Sequence, residues 1–120
     1  MLVMDNELIR DSIINRPSIE LSSTDNSIIR DNFIDSLSGT PIQLDFSDNN
    51  RVNANVIIAE RTAIRFFESS GQAIGNEIRL TNPDGPLNTC ATVICVRSIP
   101  GIFVGRSNVD IINNTVIQIP

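Results

Sequence analysis

The stretch IRFFESSGQAIGNEIRL, residues 64–80, has two apolar-rich runs on either side of a short Ser-Ser-Gly segment. Gly71 in that segment supplies the positive φ that a tight turn often needs. The pattern predicts a β-hairpin whose core includes Phe66 or Phe67, Ile78 and Leu80.

The sequence around this stretch gives the same β signal. Ile is the commonest residue, and branched side chains suit a half-buried pleated sheet. PIQLDFSD, residues 41–48, and RVNANVIIAE, residues 51–60, both alternate apolar and polar residues. The residues that this alternation directs to the core are Ile42, Leu44, Phe46, Val52, Ala54, Val56 and Ile58.

Turn signals such as NPDG at residues 82–85 divide the chain into about 7–8 short strands. TCATVICVRSI, residues 89–99, is a near-continuous apolar run that fits a central strand. We therefore expect an all-β fold, a jelly-roll or Ig-like β-sandwich.

The first third of the chain is less regular. Residues 25–38 fit a short helix, because Ile29, Phe33 and Leu37 recur every four residues, although two short strands are the alternative. Residues 1–16 are predicted to form an N-terminal connector arm, which Pro17 separates from a sandwich domain of residues 17–120.

An imperfect duplicate, ELIRDSII and SIIRDNFI, lies twenty residues apart along the chain. Residues 48–54 and 68–74 do not continue a twenty-residue period. The sequence therefore argues against a β-solenoid with rungs of that length.

Composition excludes most chemical roles. The chain has no His and a net charge of -5, and it also lacks Lys, Tyr and Trp, so the usual general bases are reduced to Asp and Glu. The acidic balance disfavours nucleic acid and anionic membranes. A sugar-cleaving site also lacks the Trp or Tyr on which sugars usually stack. We expect a protein that is not an enzyme and uses no cofactor.

Two cysteines occur, Cys90 and Cys95. Residues five apart point to opposite faces of a strand, so a bond between them needs a bulge or bend. The two are either buried thiols or possible cross-links to another chain. Two Cys without His do not make a metal site.

Exposed sheet edges usually carry Lys, which discourages pairing with another chain, and this chain has none. We predict that the connector arm, with Leu8, Ile9, Ile13 and Ile14 as its apolar contacts, pairs as a strand with a neighbouring copy. Head-to-tail contacts of this kind build a homopolymer. An anchoring or tip protein is a further possible partner.

The stretch AIRFFESSGQAIGNEIRL, residues 63–80, resembles the β-hairpin of subunits that build bacterial endospore appendages. The resemblance implies a fibre on the cell or spore surface, formed without a Sec signal peptide. Subunits of that kind can carry Cys in the connector and join by disulfides, whereas this chain has no Cys before Cys90. Its copies would then join by strand pairing alone.

The alternative is a non-enzymatic surface binding module, such as a phage, viral or spore-coat domain, monomeric or trimeric.

Overall fold

The computed structural model describes residues 1–4, 6–10, 17–36, 39–81, 95–99 and 101–118, with the backbone alone for residues 7–10 and 95–99. These residues are all-β, as the sequence predicts, and contain no helix. No helix in these ranges could therefore cross a membrane.

The strands are short because single residues in the left-handed region, such as Asp31, Ala54 and Gly75, interrupt the β-branched runs. In chain order the strands are β1 Leu2–Met4, β2 Glu7–Arg10, β3 Ile19–Ser22, β4 Ile28–Arg30, β5 Phe33–Ser36, β6 Ile42–Asp45, β7 Asn50–Asn53, β8 Val56–Ala59, β9 Thr62–Phe67, β10 Ser70–Ile74, β11 Glu77–Leu80, β12 Cys95–Ile99, β13 Gly101–Gly105, β14 Asn108–Ile112 and β15 Thr115–Gln118.

Successive strands enter three different sheets in rotation. Sheet A has the order β1-β4-β7-β10-β14, sheet B has β2-β5-β8-β11-β15, and sheet C has β3-β6-β9-β13-β12. Each of the first three turns of the chain, or rungs, therefore adds one strand to every sheet, and later both β12 and β13 enter sheet C. Pairing in the described strands is parallel throughout, apart from the antiparallel pair β12 and β13. This arrangement is a parallel β-solenoid.

The interior is filled by stacks of like side chains, because parallel register places equivalent residues of successive rungs side by side. One stack is Ile19, Ile42, Ile64 and Ile102, and the next is Leu21, Leu44, Phe66 and Val104. A third, in sheet B, contains Ile34, Ile57 and Ile78, each fully buried. Burial of each such side chain stabilises the folded state by roughly 1.5–3 kcal/mol.

The sequence argued only against a solenoid with twenty-residue rungs, and the rungs of this solenoid are longer than that. Equivalent asparagines of successive rungs are separated by 26, 23, 21 and 38 residues. The last interval is long because residues 81–100 are inserted before β13, and within them β12 returns to pair with β13. A fixed period of twenty residues cannot match intervals that vary with loop length.

The predicted hairpin at residues 64–80 does not form. Its strands β9, β10 and β11 lie in sheets C, A and B and do not pair with one another. Phe66, Ile78 and Leu80 are buried as expected, whereas Phe67 is half-buried on the outside of sheet C. Parallel neighbours from other rungs take the place of the hairpin partner.

The predicted helix at residues 25–38 is also absent from the described part of that range, which forms β4 and β5. Asp31, with φ of 55°, turns the chain between the two strands. Ile29 and Ile34 are buried on either side of this corner, in sheets A and B. The corner produced an apolar spacing that imitated a helical period.

The jelly-roll or Ig-like sandwich is not confirmed, because those folds use antiparallel strands and these sheets are parallel. Near two corners, residues that were predicted to face the core instead lie on the outside. Phe46 and Ala54 are exposed corner residues at positive φ, and beyond Ala54 it is Ile57, not Val56 or Ile58, that is fully buried.

Candidate interaction surfaces

The corner between sheets A and B has the same construction in successive rungs. A residue at positive φ, namely Asp31, Ala54, Gly75 or Asn113, is followed directly by an asparagine. The left-handed residue turns the chain, and the asparagine side chain is directed into the corner. The resulting column of asparagines, here called the asparagine ladder, contains Asn6, Asn32, Asn55, Asn76 and Asn114.

Each asparagine of the ladder except the last, Asn114, donates from Nδ2 to Oδ1 of the asparagine in the following rung, over 2.8–3.1 Å. The same Oδ1 also accepts the backbone N–H of the preceding asparagine, at 3.0–3.2 Å. The second Nδ2 proton goes to a sheet A carbonyl, as from Asn55 to Ile29 at 3.0 Å. The ladder therefore satisfies the buried polar groups that the corner creates.

Hydroxyl groups play the equivalent part at the corner between sheets C and A. The backbone N–H of Thr24 donates to Ser47 Oγ, that of Ser47 to Ser69 Oγ, and that of Ser69 to Ser107 Oγ, at 2.9–3.1 Å. Ser47 and Ser69 are buried, and both hydroxyls donate to carbonyl oxygens. Both columns couple each rung to the next.

The asparagine ladder has a direction, and its two ends differ. In the described chain Asn6 Oδ1 accepts no hydrogen bond, although its N–H and Nδ2 donate to Asn32. At the other end Asn114 uses Nδ2 once, toward the Ala73 carbonyl at 2.8 Å. One end therefore offers an acceptor and the other a donor.

Both ends of the solenoid also expose large apolar side chains. In the last rung these are Ile112, Val116 and Ile117, exposed by 43%, 37% and 43%, and in the first they are Met1 and Leu2. Val116 continues the interior stack of Ile34, Ile57 and Ile78, yet it is open to solvent. The last rung therefore presents the interior of the fold at its surface.

The outer face of sheet C is the most aromatic lateral surface in the described residues. It carries Phe67 and Phe103, with Phe46 at the adjoining corner. With Thr40, Thr62 and Arg65, the first two line a shallow depression of about 270 Å³. We call this surface the sheet C platform.

The predicted assembly residues lie partly in the first rung. Leu8 and Ile9 belong to β2, where they pair with Ile34 and Asp35 of the same chain. Ile13, Ile14 and Cys90 lie outside the described residues, as does the predicted boundary at residue 16. Cys95 begins β12, where its backbone pairs with Gly105, and its cross-linking stays a prediction.

The ladder residues were missed by sequence reasoning, although a signal was present. Aligning RDNF, NANV, IGNE and INNT places Asn32, Asn55, Asn76 and Asn114 in one column, each before a strand. A search for an asparagine that follows a turn-forming residue, with variable spacing, would find this column. Within the ranges that the structure describes, no group of His, Cys, Asp or Glu forms a metal site.

No family model matches this chain, and no match was found among curated proteins or solved structures.

Proposed function

We propose that this chain is a non-catalytic structural subunit that joins copies of itself end to end, rung upon rung, into a fibre. The observation that carries the proposal is the asparagine ladder, whose unused donor at Asn114 and unused acceptor at Asn6 are complementary. A second copy placed on the last rung would continue the ladder with the hydrogen bonds already used within the chain.

Side-chain register supports the same joint. Continuing the columns of sheet A by one rung places Val3 of the next copy on Ile111, and its Met4 on Ile112. Continuing the columns of sheet B in the same way places Leu8 of the next copy beside Val116, and its Ile9 beside Ile117. Apolar positions thus meet apolar positions at two adjacent places in sheet A and two in sheet B.

The ends of the sheets also match. Each of the three sheets is five strands deep, because β12 fills the level that sheet C would otherwise lack beside β14 and β15. A neighbouring first rung would meet three strand edges at one level, about 4.8 Å away. The chain has no Lys that would discourage such pairing.

This joint changes the mechanism expected from the sequence. Strand β2, with Leu8 and Ile9, pairs with β5 of its own chain, so the proposal uses the outer edge of the first rung instead of a detached arm. Assembly is non-covalent and head to tail, which produces an open polymer unless its rotation closes a ring. Location on a cell or spore surface is part of the same proposal. It rests on the resemblance of the sequence of residues 63–80 alone, since these residues do not form a hairpin.

The test is negative-stain electron microscopy and light scattering over a range of protein concentrations. The double variant Val116→Lys and Ile117→Lys places one charge in the interior column, where Leu8 of the next copy would cover it, and a second beside it on the edge strand β15. It should remain a folded monomer where the unaltered chain forms fibres. Gln72→Lys, at a half-buried outer position on β10, which is not an edge strand, is the matched control and should still form fibres. A monomeric unaltered chain at high concentration, or fibres from the double variant, would refute the proposal.

A second candidate is a non-enzymatic surface binding module. The aromatic sheet C platform favours it, because fibre growth along the axis leaves this lateral face uncovered.

A further inference from the structure

Phe46 occupies a position that costs conformational energy. It has φ of 53°, a region that bulky residues rarely enter, and its side chain is 55% exposed. The equivalent corner position in other rungs also has positive φ and is occupied by Ser23, Glu68 and Arg106. The fold therefore needs this backbone conformation but not a phenyl group. An exposed, strained aromatic residue points to a use outside folding.

The aromatic rings of the platform lie close against the sheet. A Cβ added at Gly105 would come within 2.8 Å of the Phe103 ring and 3.2 Å of the Phe67 ring, so the glycine leaves the space that these rings occupy. The Phe46 and Phe67 rings meet edge to face with centroids 5.9 Å apart. Three of the five Phe of the chain are thus gathered on one surface.

Polar groups beside the rings are only partly used. The Arg65 guanidinium stacks over Phe67 at 5.2 Å and lies 3.8 Å from Asp45 Oδ1, which is too far for a hydrogen bond. Its side chain makes no hydrogen bond with the described residues, so its N–H groups can donate to a ligand. Gln43 donates to Asp45 Oδ2 at 2.7 Å and holds that carboxylate in place.

We propose that the sheet C platform binds an uncharged glycan chain. A pyranose ring offers a flat C–H face for Phe103 and Phe46, together with hydroxyl oxygens that accept from Arg65. The Arg65 and Asp45 charges cancel, and the nearby Glu20 is exposed, so the surface does not favour a polyanion. Phe replaces the Trp or Tyr that sugar sites commonly use.

The test is calorimetric titration of the full chain with cellohexaose and chitohexaose, with hexagalacturonate as the charged comparator. Phe103→Ala and Phe46→Asn should each weaken binding about three- to tenfold. Phe33→Ala, at a half-buried position on the outer face of sheet B, is the matched control and should bind normally.

Thermal unfolding separates recognition from a structural role. Asn enters the left-handed region readily, so Phe46→Asn should leave the melting temperature unchanged or raised while it weakens binding. No binding of either neutral oligosaccharide, binding of hexagalacturonate alone, or equal affinity in all variants would overturn the proposal. Loss of fibres in both platform variants would instead make this face a contact between copies and would equally overturn it. Absence of fibres in the unaltered chain bears only on end-to-end assembly.

Discussion

Replacing Asn55 by Ala tests whether the asparagine ladder stabilises the solenoid. The Asn55 side chain takes part in four hydrogen bonds of 2.9–3.1 Å, two as acceptor from Asn32 and two as donor, to Ile29 and Asn76. It is 1% exposed, so water cannot replace these partners.

At a net value of about 1 kcal/mol per hydrogen bond, the substitution should lower the free energy of unfolding by about 4 kcal/mol. Most of the loss comes from two buried backbone groups. The N–H of Asn32 loses its acceptor, and the carbonyl of Ile29 loses its donor. The total free energy of unfolding of a small domain is roughly 5–15 kcal/mol, so the variant should be much less stable.

Urea denaturation followed by circular dichroism measures the effect. The matched control is Asn53→Ala in the same rung, because Asn53 is half-buried on the outer face of sheet A and its side chain makes no hydrogen bond with the described residues. The control should change stability by less than about 0.5 kcal/mol. Asn114→Ala loses three bonds in the last rung and should fall between the two. If Asn55→Ala costs no more than Asn53→Ala, the ladder does not stabilise the fold as argued.

Two further pairs of substitutions test the backbone and the interior. Gly71→Ala should cost about 3 kcal/mol or more, because its φ is +148° and a Cβ would lie 2.0 Å from the Asn50 carbonyl oxygen. Gly75→Ala has φ of +63° and no neighbour within 4 Å, so it should cost only about 1 kcal/mol; equal losses in urea denaturation would contradict this reasoning. Ile57→Ala empties a fully buried place in the sheet B stack and should cost about 2–5 kcal/mol. Ile58→Ala, next to it on the outer face, should cost about 1 kcal/mol, and thermal melting that ranks the pair the other way would refute the assigned faces.

Local patterns allowed the strands to be predicted well where no corner intervened. The alternation that placed Ile42 and Leu44 in the core is confirmed, since both are fully buried. It failed at the next predicted core position, Phe46. The positive φ of Phe46 ends the alternation and turns its side chain outward. The same kind of corner at Asp31 made two strands resemble a helix.

The sequence by itself determined an all-β chain with an aliphatic interior, because branched residues and short alternating runs act within a few neighbouring positions. It also determined a shortage of catalytic side chains, which is a matter of composition. Only the tertiary structure decided that these strands pair in parallel and that Asn32, Asn55 and Asn76 form one column. Those contacts join residues 21–23 apart through loops of unequal length, so no local or fixed-period pattern encodes their register.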